Sequence, residues 1–342
     1  MKENREAAPF VSVLLPIRNE ARHIESALGA VLAQDYPADR MEVIVIDGLS
    51  DDGTRERVEA AAARDARVRL LDNPRRIVPT GMNLATARAR GDVLIRVDGH
   101  CEIARDYVRR CVAHLRDDGV DGVGGPVTTI GETPLSEVIA LAMSSRFGVG
   151  DSSFRTVTDR TMLADTVPFP AYTRAIIDRV GPYDEELVRN QDDDYNYRLR
   201  KLGAKVLLAA DIRSRYYSRG TIRRLWRQYF QYGFWKVRVM QKHPRQMRPR
   251  QFAPPTFVFA LLAAALLAIF SVAGAWPLGL VAGAYALANL AASAQAARGK
   301  GARTLLILPV VFATLHVAYG LGFLAGLLRF WNRWGDHESR FA

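Results

Sequence analysis

The sequence contains few cysteines, no secretory signal and none of the glycine-rich loops that bind nucleotide phosphates. Two cysteines in 342 residues, Cys101 and Cys111, cannot build a disulfide framework, so we expect a reducing compartment. The first ten residues lack the apolar segment of a signal peptide, and the first 250 residues are therefore expected to stay in the cytoplasm. The absence of any G-x-G-x-x-G or Walker sequence counts against a nicotinamide-dependent enzyme and against a P-loop NTPase.

Charge is missing from two long stretches near the C-terminus. Residues 251–297 and 304–328 contain no Asp, Glu, Lys or Arg, although the whole chain has 47 basic and 36 acidic residues. A helix needs about 20 apolar residues to cross a bilayer, so these stretches predict a membrane region at 251–342. The predicted spans are 255–274, 277–296 and 305–328. A helical hairpin buried in a soluble protein is the alternative, and such long uncharged stretches disfavour it.

Basic residues lie next to the predicted spans. Those before the first span are Lys242, Arg245, Arg248 and Arg250, and those between the second and third are Arg298, Lys300 and Arg303. Short segments rich in Lys and Arg stay on the cytoplasmic side of a membrane, so both flanks are predicted to be cytoplasmic. We therefore expect a multi-pass protein of the inner (cytoplasmic) membrane whose N-terminal region faces the cytoplasm.

A basic segment at 221–250 separates the N-terminal region from the predicted spans. Within it, apolar side chains recur at three- and four-residue steps over Thr221–Gln241, with arginines mostly off that stripe. A basic amphipathic helix rich in aromatic residues is typical of a helix that lies on an anionic leaflet. The alternative is a packed surface helix of the soluble domain.

The N-terminal region, taken as a domain at 1–220, alternates between short apolar strands and helices. Val11–Leu15, Met41–Ile46, Val68–Leu71 and Val93–Val97 are predicted strands with helical patterns between them. This alternation predicts a Rossmann-like α/β domain with a doubly wound, mostly parallel sheet. Ligands bind such sheets at the carboxyl ends of the strands, which makes the polar residues there the candidate site.

Three acidic clusters follow predicted strands or open a predicted helix. They are Asp47–Thr54, Asp98-Gly99-His100 and Asn190–Asp194. Side chains two apart on an extended segment point the same way, so Asp98 and His100 form a candidate metal site. A carboxylate and an imidazole together suit Mn²⁺ better than Mg²⁺, and an Asp-Gly turn with a solvated histidine is the alternative. Three consecutive carboxylates at 192–194 exceed what helix capping requires.

These motifs, together with Val11–Glu20 before them, fall in the order of a known family. The sequence resembles the family 2 inverting glycosyltransferases of GT-A fold, and most of all the succinoglycan-type exopolysaccharide glycosyltransferases, in which Asp-x-His replaces Asp-x-Asp. The resemblance covers about residues 10–240. It implies a cytoplasmic GT-A domain followed by an interfacial helix and a membrane-spanning region.

The resemblance also implies roles for individual residues. Asp192 matches the catalytic base, and Asp98 and His100 match the motif that binds the metal, Mn²⁺ or Mg²⁺, and the diphosphate. The residues that match nucleotide-sugar contacts are Pro16, Asn19, Glu20, Asp47 and Asp98. Two positions depart from the family: Gln191 stands where Glu is usual, and Gly48 stands where many members have Asp.

The sequence therefore predicts a membrane-anchored, metal-dependent hexosyltransferase. We expect it to move a sugar from a UDP-sugar to a lipid-linked saccharide acceptor in exopolysaccharide or cell-surface glycan synthesis. A single in-line displacement would invert the anomeric carbon. Its expected partners are the donor, the acceptor and a membrane, with no nucleic acid. The alternatives are a polyprenyl-phosphate hexose synthase and a catalytically inactive subunit that binds a nucleotide-sugar.

Overall fold

The computed structural model describes residues 8–150, 152–218 and 220–335, and these form two compact units. The first unit holds the chain up to Thr128 together with Ser153–Tyr216, and the second holds Thr129–Ser152 together with the chain from Tyr217 onward. The segment Thr129–Ser152 thus leaves the unit in which the sequence places it and joins the C-terminal helices.

Strands and helices alternate along the first unit as the sequence predicts. The strands of the described residues are β1 (Val11–Ile17), β2 (Met41–Asp47), β3 (Val68–Asp72), β4 (Val93–Arg96), β5 (Cys101–Ile103), β6 (Gly122–Gly124), β7 (Val127–Ile130), β8 (Met162–Leu163), β9 (Ala171–Thr173), β10 (Val206–Leu208) and β11 (Ser214–Tyr217). The helices are α1 (Ile24–Leu32), α2 (Thr54–Ala62), α3 (Val78–Arg88), α4 (Tyr107–Asp117), α5 (Pro134–Met143), α6 (Arg146–Val149), α7 (Ser153–Thr156), α8 (Arg174–Val180), α9 (Gln191–Lys201), α10 (Ile222–Lys242), α11 (Ala253–Phe270), α12 (Ala275–Ala296) and α13 (Ala302–Arg329).

The main sheet of the first unit has eight strands in the order β3-β2-β1-β4-β9-β6-β10-β8. The four strands β1 to β4 pair in parallel, with Val11 of β1 opposite both Met41 and Val93. From β9 onward the sheet is mixed, because β9 runs antiparallel to both β4 and β6 and only β6 and β10 pair in parallel. The strands after β4 are too short to show an alternation of apolar and polar residues from which they could be predicted.

A hydrophobic core covers one face of this sheet and ends beneath the candidate site. Leu14, Ile44 and Leu94 from the strands pack with Tyr195 and Leu199 of α9. Because side chains alternate along a strand, Leu94, Arg96 and Asp98 point to the same side as this core. The polar end of that row therefore lies at the carboxyl edge of the sheet.

The second unit is mainly helical, and its described residues include three helices long and apolar enough to cross a membrane. These candidate spans are Pro249–Phe270, Ala275–Ala296 and Ala302–Arg329. The first helix ends four residues before the predicted boundary at 274, because the chain turns at 271–274. His316 of α13 bonds to the Tyr285 hydroxyl at 3.0 Å and to the Phe147 carbonyl at 2.8 Å, and so links α13 to α12 and α6.

Glycines let α10 approach α13 closely. A Cβ on Gly233 would lie 2.0 Å from the Tyr319 carbonyl oxygen, and one on Gly322 would lie 2.1 Å from the Phe230 carbonyl oxygen. The apolar stripe predicted for a membrane surface is therefore partly buried against α13, with Leu225 and Val237 fully buried. The helix therefore packs on a candidate membrane span, which differs from the alternative of a surface helix on the soluble domain, and whether the segment also contacts a leaflet stays a prediction.

Candidate active site

The candidate site of the first unit is assembled from the ends of β1, β2 and β4 and from the first turn of α9. Pro16 is the half-buried penultimate residue of β1, where it pairs with Ile46. Asp98 follows β4 by two residues, and Asp192 is the second residue of α9. The structure places all three consecutive aspartates, 192 to 194, within the first turn of α9.

The two loops that follow β1 and β2 are joined by side-chain hydrogen bonds. The Asn19 amide nitrogen donates to Asp51 Oδ1 at 2.8 Å, and the Asp51 backbone N–H donates to Asn19 Oδ1 at 3.1 Å. Asn19 adopts a φ of 56°, a left-handed conformation that asparagine tolerates better than most residues. Asn19 thus holds the loop in shape, and its predicted contact with the nucleotide stays a prediction.

Asp47, at the end of β2, is fully buried. Its carboxylate accepts hydrogen bonds from the Ser50 hydroxyl at 2.5 Å and from the Ser50 backbone N–H at 3.1 Å, and Arg55 lies 3.7 Å away. These contacts close the turn after β2. A direct contact of Asp47 with a nucleotide, as the sequence predicts, would require the Ser50 turn to open.

The space beside Gly48, where many members of the family have an aspartate, is filled in this chain by another side chain. A Cβ on Gly48 would lie 3.2 to 3.4 Å from the carbon atoms of the Arg18 side chain. The aliphatic stem of Arg18 therefore occupies the space into which an aspartate side chain would extend. Arg18 itself is an exposed residue on the loop that follows β1.

Glu20 and His100 are brought together although they are distant in sequence. His100 Nδ1 lies 2.9 Å from Glu20 Oε1, and both side chains are largely buried. The His100 ring also meets the Tyr216 ring edge-on at 4.9 Å. Gly99 permits this approach, since a Cβ there would lie 2.8 Å from Ile17 and 3.1 Å from Glu20. The imidazole is therefore fixed through Nδ1, which leaves Nε2 as the nitrogen that could bind a metal.

Arg96 is the site residue that sequence reasoning missed. Its Nε donates to Asp98 Oδ1 at 3.0 Å, and its Nη1 donates to Asp192 Oδ1. The guanidinium thus joins the predicted metal-binding carboxylate to the predicted catalytic base, which lies 94 positions later in the sequence. The available signal was an arginine inside the apolar run Val93–Val97, two residues before Asp98 and on the same face.

The charges around Asp192 act in opposite directions on its pKa. The loss of surrounding water raises the pKa of this carboxyl, and Asp98 and Asp193 act in the same direction, while Arg96 opposes them. The side chain still keeps 47% of its surface exposed, so protein encloses the carboxyl while solvent reaches it from one side. A carboxylate with a raised pKa is the stronger base once it is ionised.

The three neighbours of Asp192 have different roles. Asp194 is buried and forms an ion pair with Arg198 at 3.0 Å, while Arg198 also donates to the Val180 carbonyl at 2.6 Å. This pair ties α9 to α8 and gives Asp194 a structural role. Gln191 is buried, and its amide nitrogen donates to Asp192 Oδ2 at 3.3 Å. Asp193 is half-buried on the same turn.

The residues present fit a divalent cation that is completed by its substrate. Among the described residues, no group of three or more His, Cys, Asp or Glu side chains forms a complete metal site. Asp98 and His100 would supply one oxygen and one nitrogen ligand. The Glu20 contact orients the imidazole as carboxylates commonly do behind metal-binding histidines. A cation shared with a diphosphate needs only one or two protein ligands.

Three comparisons relate the chain to known proteins. A family model, "Glycosyl transferase family 2", matches residues 12–180. The chain is 32% identical over 323 residues to "Succinoglycan biosynthesis protein ExoA" of Rhizobium meliloti (strain 1021), covering 94% of this chain and 96% of the relative. It is 24% identical over 241 residues to "Dolichyl N-acetyl-alpha-D-glucosaminyl phosphate 3-beta-D-2,3-diacetamido-2,3-dideoxy-beta-D-glucuronosyltransferase" of Methanococcus voltae, covering 68% of this chain and 74% of the relative.

A solved structure shares the fold. Mannosyltransferase PcManGT from Pyrobaculum calidifontis, solved in complex with GDP-Man and Mn²⁺, matches with a TM-score of 0.60 at 22% identity, covering 95% of this chain and 88% of that chain. The predicted fold class, a GT-A α/β domain followed by apolar C-terminal helices, is thereby confirmed.

Proposed function

This chain belongs to glycosyl transferase family 2, and from that membership we propose that it transfers a sugar from a UDP-sugar to a lipid-linked saccharide acceptor with inversion at the anomeric carbon. The likeness to a succinoglycan biosynthesis protein over nearly the whole chain supports a role in exopolysaccharide or cell-surface glycan synthesis. The observation that carries the proposal is the cluster in which Arg96 holds Asp98 and Asp192 together.

In the proposed reaction Asp192 is the general base. The hydroxyl group of the acceptor has a pKa far above 7, so a carboxylate within hydrogen-bond reach must take its proton as the new bond forms. Asp192 is suited to this task because its carboxyl is open to solvent on one side and its pKa is raised by its surroundings. The expected contribution of such a base is about 10²- to 10⁴-fold in rate.

Asp98 and His100 are proposed to hold a divalent cation, Mn²⁺ or Mg²⁺. Such a cation neutralises the charge that develops on a departing nucleoside diphosphate. The residues of the chain then have separate tasks: His100 and Asp98 bind, Glu20 orients the imidazole, and Asp192 accepts the proton. The loops around Asn19 and Asp47 are the proposed nucleotide contacts.

The basic second unit supports an acceptor carried by a membrane. From residue 212 to residue 335 the sequence contains no Asp or Glu, while it contains many Lys and Arg. Three apolar helices with basic flanks would hold the protein in the inner membrane with the first unit in the cytoplasm. Such anchoring would keep a site for a soluble donor next to an acceptor confined to the bilayer.

Turnover of a panel of UDP- and GDP-sugars on native membranes tests the proposal. We expect glycosidic transfer from one UDP-sugar, abolished by EDTA and restored by Mn²⁺, with a higher Mn²⁺ requirement in His100→Ala. A phosphodiester-linked product would instead indicate a polyprenyl-phosphate hexose synthase. Donor binding without transfer or hydrolysis of any donor would contradict the proposal and indicate a nucleotide-sugar-binding subunit.

A further inference from the structure

Arg96 is a charged residue at the carboxyl end of β4, on the face that otherwise carries apolar side chains. Its side chain is only 12% exposed, and it follows Leu94 on the face of β4 that is covered by the hydrophobic core. Beneath it lies a cavity of about 10 Å³, roughly the space for one water molecule, lined by Arg96 and by aromatic and aliphatic side chains that include Tyr172, Tyr183 and Tyr195. The guanidinium is therefore shielded from bulk water on its inner side.

A cation in such a place is costly to desolvate, and it is retained only where good partners compensate. Arg96 has two partners, Asp98 Oδ1 at 3.0 Å and Asp192 Oδ1. Both hydrogen bonds come from the planar guanidinium group, whose N–H groups can donate to two carboxylates in fixed directions. A lysine ammonium carries the same charge but lacks this geometry. The position therefore depends on the shape of the guanidinium as well as on its charge.

The Asp192 carboxylate is held from its other side too. Gln191 Nε2 donates to Asp192 Oδ2 at 3.3 Å, and Asn196 Nδ2 donates to the Asp192 carbonyl at 2.8 Å. With Arg96 on Oδ1, each carboxylate oxygen has a donor and the orientation of the group is defined. A neutral Gln191 also leaves Arg96 facing two carboxylates, where a glutamate would have added a third negative charge.

We propose that Arg96 is a positioning residue, which holds the carboxylate of Asp192 in the direction needed to take the acceptor's proton and couples that direction to Asp98. The inference rests on the proposed function, because it gives Arg96 its effect through Asp192. Arg96 acts before and during proton transfer without touching the substrate. Its loss should therefore lower kcat and leave the KM for the donor nearly unchanged.

The test is a double-mutant cycle on the full chain in native membranes. Arg96→Lys is expected to lower kcat about tenfold or more, and Arg96→Met by about a hundredfold, with the donor KM within about threefold of the unchanged protein. In the background of Asp192→Asn, adding Arg96→Lys should lower kcat by less than about twofold, because a positioning residue has no effect once the base is gone.

Arg198→Lys is the matched control. Arg198 is also a buried arginine that pairs with an α9 carboxylate, Asp194, but it lies away from the cluster that contains Asp98. We expect Arg198→Lys to lower the unfolding temperature while kcat per folded molecule stays within about threefold. Comparing kcat with thermal stability for Arg96→Lys and Arg198→Lys separates positioning from folding, even where Arg96→Met fails to fold.

Two results would overturn the inference. A loss from Arg96→Lys that appears in the donor KM would mean that Arg96 binds the donor directly. If the fold-decrease in kcat of the double variant equals the product of the fold-decreases of Arg96→Lys and Asp192→Asn, Arg96 acts independently of the base. If Asp192→Asn alone leaves turnover unchanged, the proposed function fails at its base, which is a distinct outcome from the failure of Arg96.

Discussion

Both units bury arginine side chains, and the sequence around these arginines differs between the units. In the first unit Arg96 and Arg198 are paired with carboxylates. In the second unit Arg238 is fully buried, and its guanidinium donates to the Gln241 amide oxygen at 2.6 Å and to the Arg333 carbonyl at 3.4 Å. The sequence from 212 to 335, which contains Arg238, has no acidic residue, whereas Asp98 and Asp194 lie close in sequence to Arg96 and Arg198.

This difference separates chemistry from attachment. Carboxylates in the first unit are held by arginines in fixed directions, which is what proton transfer and metal binding require. From residue 217 to residue 335 the second unit has exposed cations without acidic neighbours in sequence, so we expect them to face an anionic environment such as a lipid headgroup layer. Four predictions test this contrast, beginning with the largest expected effect.

Asp192→Asn should lower turnover by at least about 100-fold, since an amide keeps the shape of the side chain but cannot accept the proton. Steady-state kinetics with the identified donor measures the effect, and the donor KM should stay within a few-fold. Asp193→Asn is the control, because Asp193 lies on the same turn of α9. Equal losses in the two variants would place the base one residue later.

Gly322→Ala should destabilise the second unit by about 1–3 kcal/mol, because the new methyl group has no space between α10 and α13. Gly283→Ala on α12 is the control, since a Cβ there meets nothing within 4 Å. Thermal unfolding of both variants in the same detergent measures the difference. Equal unfolding temperatures would show that α10 does not pack on α13.

Anionic lipid should stabilise the protein through the exposed arginines at the start of α10. In nanodiscs, replacing zwitterionic lipid with anionic lipid should raise the unfolding temperature, and salt should reduce this gain because screening acts over about 8–10 Å. The double variant Arg223→Gln/Arg227→Gln should lose part of the gain. Arg64→Gln/Arg88→Gln in the first unit is the charge-matched control and should keep it.

The smallest effect concerns His114, whose imidazole bonds to Asp118 at 2.6 Å and to Asp211 at 2.9 Å. Burial acts to lower the pKa of His114, but the two carboxylates outweigh it and the pKa is raised. The folded state therefore binds the proton more tightly than the unfolded state.

The stabilisation by His114 is complete below its unfolded pKa of about 6.5 and is lost as the pH rises through the folded pKa. It should be below about 1 kcal/mol, because the ion pairs are near the surface. The free energy of unfolding of His114→Gln, measured against pH, should lack this step. An identical pH profile in both proteins would refute the assignment.

The sequence predicts those parts of the first unit in which a run of apolar residues is long enough to be recognised. The strands Val11–Ile17 and Met41–Asp47 are mostly apolar, and the polar residues that follow them identify the loops of the site. The antiparallel strand Ala171–Thr173 has three residues, so its place between β4 and β6 follows only from long-range pairing. The segment Thr129–Ser152 likewise joins the second unit through tertiary packing alone.

The sequence alone shows which chemical groups are present: carboxylates and a histidine after strands, and uncharged stretches long enough for three apolar helices. These features are local, because strand alternation, acidic turns and hydrophobic length depend on neighbouring residues. The tertiary structure decided which of those groups meet. Glu20 reaches His100 across 80 positions because the sheet aligns the ends of β1 and β4. Arg96 reaches Asp192 across 96 positions because α9 packs on the face of the sheet to which Leu94 of β4 belongs.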